Sequence, residues 1–160
     1  NTKVNPPLRS PEHREALRQA IKEGLISCIA TDHAPWSQEE KEQEFAKAPN
    51  GISGLETAVA VCWDTLVISG LLTPLELIAR LTTGPAQALN IDRGYIAVES
   101  IADLTILDPD LTKEVRSEQF YSRGKNSPLE GRIFQGWPVM TIVAGEIIMQ
   151  DGRVKEEANN

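Results

Sequence analysis

Apolar positions follow two textures over residues 1–90, stripes at helical spacing and one continuous run. Leu17, Ala20 and Ile21 share a face of a segment that Ser10 can cap, Pro11 can open and Gly24 can stop, which predicts a helix over about 11–23. Leu25-Ile26-Ser27-Cys28-Ile29-Ala30-Thr31 then runs almost unbroken in apolar character, the pattern of a strand covered on both faces in a parallel sheet. Asp32 falls at its carboxyl end. Residues 33–54 are mostly polar and include Ser37-Gln38-Glu39-Glu40, whose spacing is that of a capping box for a short helix. Connections this long inside a compact domain are often functional. The stripe Leu55, Val59, Cys62 and Leu66 predicts a helix over about 55–69. Thr73-Pro74-Leu75-Glu76 is a second capping box opening a helix to about Thr82, and Gly84-Pro85 begins a shorter one ending near Asn90.

From Ile91 the texture changes to short β-like runs punctuated by glycine and proline. Ala102 to Asp108 alternates in polarity, and Val139 to Met149 reads as a hairpin turning at Ala144-Gly145. Residues 1–90 are therefore βα in type and residues 91–160 mainly β, without internal repeat.

Composition narrows the class. With 160 residues, 41% of them hydrophobic and 24% charged, the chain reads as a globular α/β protein, and no apolar run nears the roughly 18 residues of a membrane span. A formal charge of −7 lacks the Lys/Arg excess that binding to nucleic acid or an acidic membrane requires. Cys28 and Cys62 lie among apolar residues without metal-type spacing, which predicts reduced core cysteines in a cytoplasmic protein. The start, Asn1-Thr2-Lys3-Val4, has no initiator Met and begins mid-pattern, as a fragment would.

Asp32 is the first candidate for chemistry, because a carboxylate at the carboxyl end of a buried parallel strand stands where α/β barrels and open α/β sheets place active groups. The bland alternative is an aspartate that caps the next turn beside an ordinary loop histidine, His33. Asn5 and Arg9 come second, since Pro6 and Pro7 hold their loop in one shape; a stiffened βα connection would look the same. Gly51 and Gly54 come third, as glycines that let a ligand approach backbone N–H groups. His13 is expected on an exposed helix face, the acidic run 39–44 on a solvated surface, and Trp63 and Trp137 in packing roles.

The order of the motifs says more than any one of them. Lys3-Val4-Asn5-Pro6-Pro7-Leu8-Arg9, Thr31-Asp32-His33-Ala34-Pro35, Glu40-Lys41 and the run APNGISGLET at 48–57 together resemble the dihydroorotases of the amidohydrolase superfamily. The likeness continues through GYIAVESIADLTILD at 94–108, KNSPLEG at 125–131 and VAGEIIMQDGRV at 143–154. It implies the carboxyl-terminal part of a (β/α)8 TIM barrel of the metal-dependent hydrolase type over residues 1–90, and strands of a small composite β-sandwich domain over 91–160. It also implies reversible hydrolysis of dihydroorotate to carbamoyl-aspartate in pyrimidine biosynthesis, with one or two zinc ions activating water. On this likeness Asp32 is metal ligand and proton shuttle, Asn5 bonds the substrate ring, and Pro49, Asn50 and Gly51 form a segment whose backbone meets the substrate.

Two departures bear on that expectation. The sequence has no His-x-His, so most zinc ligands would lie outside this chain, and an amino-terminal part of the same protein would be needed to complete the site and pair the sheet edges. The family pattern usually reads TDHAPH, with its last histidine helping to hold the substrate's carboxylate, and here that position is Trp36. An indole offers one neutral N–H donor and no charge. Besides a dihydroorotase, the sequence thus fits an inactive homologue serving as structural partner of aspartate transcarbamoylase, or an allantoinase or hydantoinase acting on another ring. A homo-oligomer is a further expected assembly.

Overall fold

Backbone capping explains where the helices begin and end in the computed structural model, which describes residues 1–155. Helix α1 (Pro11–Lys22) ends in a left-handed Gly24, with Leu25 N–H donating to the Ala20 carbonyl at 3.0 Å and Gly24 N–H to Ile21 at 3.2 Å. Ser10 occupies its N-cap with proline following, but its side chain makes no capping bond. Both predicted capping boxes form in full, Ser37 with Glu40 on α2 (Gln38–Lys41) and Thr73 with Glu76 on α4 (Pro74–Leu81). Helix α5 (Thr83–Leu89) closes on Asn90 at φ 53°, the asparagine counterpart of the glycine stop.

The segment expected as a buried strand, Leu25 to Thr31, has no sheet ladder. A parallel strand needs neighbours delivered by crossover connections, and none lies beside it among the described residues. Ile29 N–H ties it to the Arg80 carbonyl at 3.0 Å, and Leu25 remains 75% exposed. The helix expected over 55–69 is also altered. It starts as α3 (Ala58–Cys62) and widens into a π-helical stretch, Trp63–Ile68. Thr65 Oγ1 donates to the Val61 carbonyl, and the Thr65 carbonyl accepts from Ser69 Oγ and from the Arg18 guanidinium, so side chains compete for the helical acceptors there.

The second half is a four-stranded antiparallel sheet in the order β1 (Leu104–Glu114), β2 (Ile133–Val143), β3 (Glu146–Gln150) and β4 (Arg153–Val154). Strand β1 outruns the expected 102–108. Asp108 Oδ1 takes the N–H groups of Asp110 and Leu111, forming an irregularity around Pro109 after which pairing resumes at Thr112 with Gln135. The β2–β3 hairpin turns at Ala144-Gly145 as expected, with φ of 49° and 85° at the two central positions. The last five positions of the predicted 91–160 unit lie outside the described residues.

Two clusters join helices to sheet. Trp63, Leu66, Leu72 and Leu77 gather Ile21, Ile29 and Leu107, while Ala60, Val115 and Phe134 gather Val61, Phe120 and Trp137. Trp63 and Trp137 thus pack, as expected, and Cys62 is partly buried against the first cluster, where burial pushes its thiol pKa up. Gly136 makes the junction possible, since a Cβ there would stand 2.2 Å from Trp63 Cγ. No helix among the described residues is long and apolar enough to cross a membrane.

Candidate active site

Asp32 stands at the end of the extended 25–31 segment with φ 46°, a left-handed conformation that a short polar side chain tolerates better than most. Its neighbour His33 fixes it there. The two N–H groups of Gly54 and Leu55 point at His33 Nδ1 at 3.1 and 3.2 Å, which requires a lone pair on that nitrogen and puts the ring proton on Nε2, facing Ser122 Oγ at 3.4 Å. His33 is therefore the peg that ties the Asp32 turn to the start of the 55–62 segment. Asp32 itself is exposed and accepts no side-chain hydrogen bond from the described residues.

Three stretches distant in sequence meet around that carboxylate. A cavity of about 350 Å³ is lined by Asn5, Pro6, Asp32, Ala34, Asn50 and Gly51, among others. Larger depressions exist, one of about 710 Å³ along β3 and β4 and one of about 470 Å³ beside Trp36, but neither contains Asp32. The walls are joined by backbone bonds from Gly51 N–H to the Lys3 carbonyl and from Ala34 N–H to Ile52, each 3.0 Å. Gly51 has φ 131°, and a Cβ there would stand 2.6 Å from Ala34 Cβ, so the close approach requires glycine.

Of the residues singled out from the sequence, Asn5, Asp32, Asn50 and Gly51 share this cavity, whereas Pro49 and Trp36 do not line it. Trp36 is half-buried behind the 49–51 segment and lines the adjacent depression. Its indole N–H donates to the Asn50 carbonyl at 2.9 Å, so its single donor is already engaged.

Sequence reasoning missed the residues that hold the walls. Asn126 is buried; its Oδ1 accepts from Trp36 N–H at 2.9 Å and its Nδ2 donates to the Gly51 carbonyl at 3.0 Å. Ser53, also buried, donates to the Gly124 carbonyl at 2.6 Å, and the Glu56 carboxylate takes the N–H groups of Tyr121 and Ser122. Lys41 donates to three carbonyls, those of Lys3, Pro49 and Gly51. Burial, and behind it the Lys3 ammonium, pushes the Lys41 pKa down. The only sequence signal for these residues is their place inside the Glu40-Lys41, APNGISGLET and KNSPLEG motifs.

Asp32 could serve as one metal ligand, but among the described residues no three His, Cys, Asp or Glu side chains cluster so as to hold an ion. A complete metal site would therefore need ligands beyond this chain.

Residues 4–148 match the amidohydrolase family, and the chain belongs to it. Among curated relatives it is 48% identical over 151 residues to a dihydroorotase of Pelotomaculum thermopropionicum, covering 94% of this chain and 35% of that protein. It is 46% identical over 153 residues to a dihydroorotase of Geobacillus sp., covering 96% of this chain and 36% of that one. The chain thus spans about a third of the length of the curated relatives it matches. Among solved structures it resembles an L-hydantoinase (dihydropyrimidinase) from Arthrobacter aurescens, with a TM-score of 0.91 at 36% identity over 97% of this chain and 36% of the other. A D-hydantoinase from Thermus sp. follows at TM-score 0.89 and 28% identity, over 98% of this chain and 35% of that one.

Proposed function

We propose that this chain is the carboxyl-terminal part of a zinc-dependent dihydroorotase-type cyclic amidohydrolase, with residues 1–90 closing a (β/α)8 barrel and 91–160 contributing to a composite β-domain. The observation that carries the reading is the meeting of Asn5, Asp32, Asn50 and Gly51 around one cavity, in a chain 48% identical to a dihydroorotase. Exposed Leu25, Leu75, Ile96 and Val98, each at least 75% accessible, support a larger protein in which an amino-terminal part covers them.

The chemistry asked of this chain is proton transfer. Zinc held by Asp32 and by ligands outside the chain would bring the pKa of a bound water to about 7. The Asp32 carboxylate then accepts the proton of the attacking water as its oxygen bonds to the ring carbonyl carbon. When the ring C–N bond breaks, Asp32 returns that proton to the leaving amide nitrogen. Asn5 orients the ring by hydrogen bonding, and the Asn50–Gly51 segment packs close to it because Gly51 carries no side chain. The substrate is a small molecule, the protein works in the cytoplasm, and a second copy of the protein or aspartate transcarbamoylase is the macromolecular partner the reading allows.

Two rivals keep specific support. The structural likeness to hydantoinases favours another cyclic amide, and Trp36, with its donor spent on Asn50, favours a weakened or inactive dihydroorotase. Zinc analysis of the full-length protein, coupled to a dihydroorotate hydrolysis assay, separates them from the leading reading. Bound zinc with turnover is expected; the absence of both zinc and turnover would refute it. Because the Trp36 ring lies behind Asn50 and lines no part of the cavity, Trp36→His is expected to leave the KM for dihydroorotate unchanged, and a lowered KM would show that an imidazole at this position reaches the substrate. An unchanged KM would assign the substrate's carboxylate to residues outside this chain.

A further inference from the structure

Every carbonyl of the 49–51 segment is gripped by a side chain that lies outside the cavity. Lys41 Nζ donates to Pro49 at 2.9 Å and to Gly51 at 3.0 Å, Trp36 Nε1 donates to Asn50 at 2.9 Å, and Asn126 Nδ2 donates to Gly51 at 3.0 Å. The third donor of Lys41 reaches the Lys3 carbonyl at 3.4 Å, two residues before Asn5. An ammonium has three donors, and here each has a backbone acceptor. The capping box of Ser37 and Glu40 starts α2 directly after Trp36 and places Lys41 in its last position, while the Trp36 N–H is held by Asn126 Oδ1 at 2.9 Å, so the indole and the ammonium meet the same segment.

We infer that Lys41 is a positioning residue of the cyclic-amide site, clamping the Asn5 loop to the Asn50–Gly51 loop so that the two substrate-contacting walls keep one separation. This inference rests on the reading of the cavity as that site. The clamp is built at a cost. Lys41 is half-buried beside a second ammonium, Lys3, an environment that opposes its charge, and an uncommitted lysine would extend to solvent. Three carbonyl oxygens compensate, and among the described residues no carboxylate does. Because the Gly51 carbonyl and N–H both join the clamp, the latter through Lys3, loss of the ammonium loosens the wall without removing any atom from the cavity.

The test uses the full-length protein, with Lys41→Met keeping the length of the stem and Lys41→Arg keeping the charge but not its compact geometry. For Lys41→Met, kcat/KM for dihydroorotate is expected to fall between about 10- and 100-fold, mostly through KM, with zinc content unchanged. A merely structural lysine would instead lower the thermal midpoint and the active fraction while leaving KM alone, which would overturn the inference. Hydrogen exchange supplies a readout independent of turnover. Peptides covering residues 1–5 and 49–52 are expected to exchange roughly tenfold faster in Lys41→Met, while peptides covering β2 stay unchanged. If the wild-type protein does not hydrolyse dihydroorotate, the reading of the site fails, and exchange alone decides the clamp. Should Lys41→Met not fold, Lys41→Arg decides, with an intermediate KM and intermediate exchange expected. Wild-type KM and wild-type exchange in the folded variant would sink the clamp.

Discussion

In the full-length protein, Asp32→Asn is expected to lower turnover of dihydroorotate by roughly 10²- to 10⁴-fold while leaving the fold intact. That range is what a positioned general acid/base contributes, and an amide of the same shape can neither take the water's proton nor return it. The fold should survive because Asp32 is exposed at the end of its segment and no side-chain bond from the described residues depends on its carboxylate. Its φ of 46° is also one that asparagine accepts readily. The check is a steady-state assay beside a circular dichroism melt. Turnover within a few-fold of wild type would move the proton shuttle to another residue, whereas a collapsed melt would show that Asp32 is structural.

Phe134→Ala is the largest expected effect on stability. Phe134 is 2% exposed, sits between Ala60 and Val115, and carries the Arg132 guanidinium over its ring at 5.0 Å. Truncating it leaves a cavity where α3 meets β1 and β2, at an expected cost of about 3–5 kcal/mol. Denaturant unfolding of the full-length protein measures it. Because Phe134 belongs to the frame and lies outside the cavity around Asp32, the KM of the protein that remains folded should not change. A cost under about 1 kcal/mol would mean that the junction can collapse around the loss.

Local rules make much of this fold legible in the order of residues alone. The capping boxes at Ser37 and Thr73, the glycine stop after α1 and the turn at Ala144-Gly145 depend on residues a few positions apart, and each forms as expected. The expectations that fail depend on distant partners. The 25–31 segment has strand composition, but its ladder needs neighbours that the described residues do not include. Within the π-helical stretch the Thr65 carbonyl accepts from Arg18, 47 positions earlier, a contact that the helical spacing of 55–69 does not foretell. At the site, the order of motifs points to Asn5, Asp32, Asn50 and Gly51, which the fold does bring together. Trp36 reads as a substrate position because it occupies the last place of the TDHAPH pattern, yet the chain turns its ring behind Asn50. Asn126 and Lys41 act on Gly51 across 75 and 10 positions, and no periodicity carries that information.

The most direct measurement is the kcat/KM of the zinc-loaded full-length protein for dihydroorotate, set against hydantoin in the same preparation. Dihydroorotate is expected to be the better substrate by at least about tenfold. Hydantoin turned over as well or better, with dihydroorotate untouched, would contradict the dihydroorotase reading and give the cavity around Asp32 to a different ring.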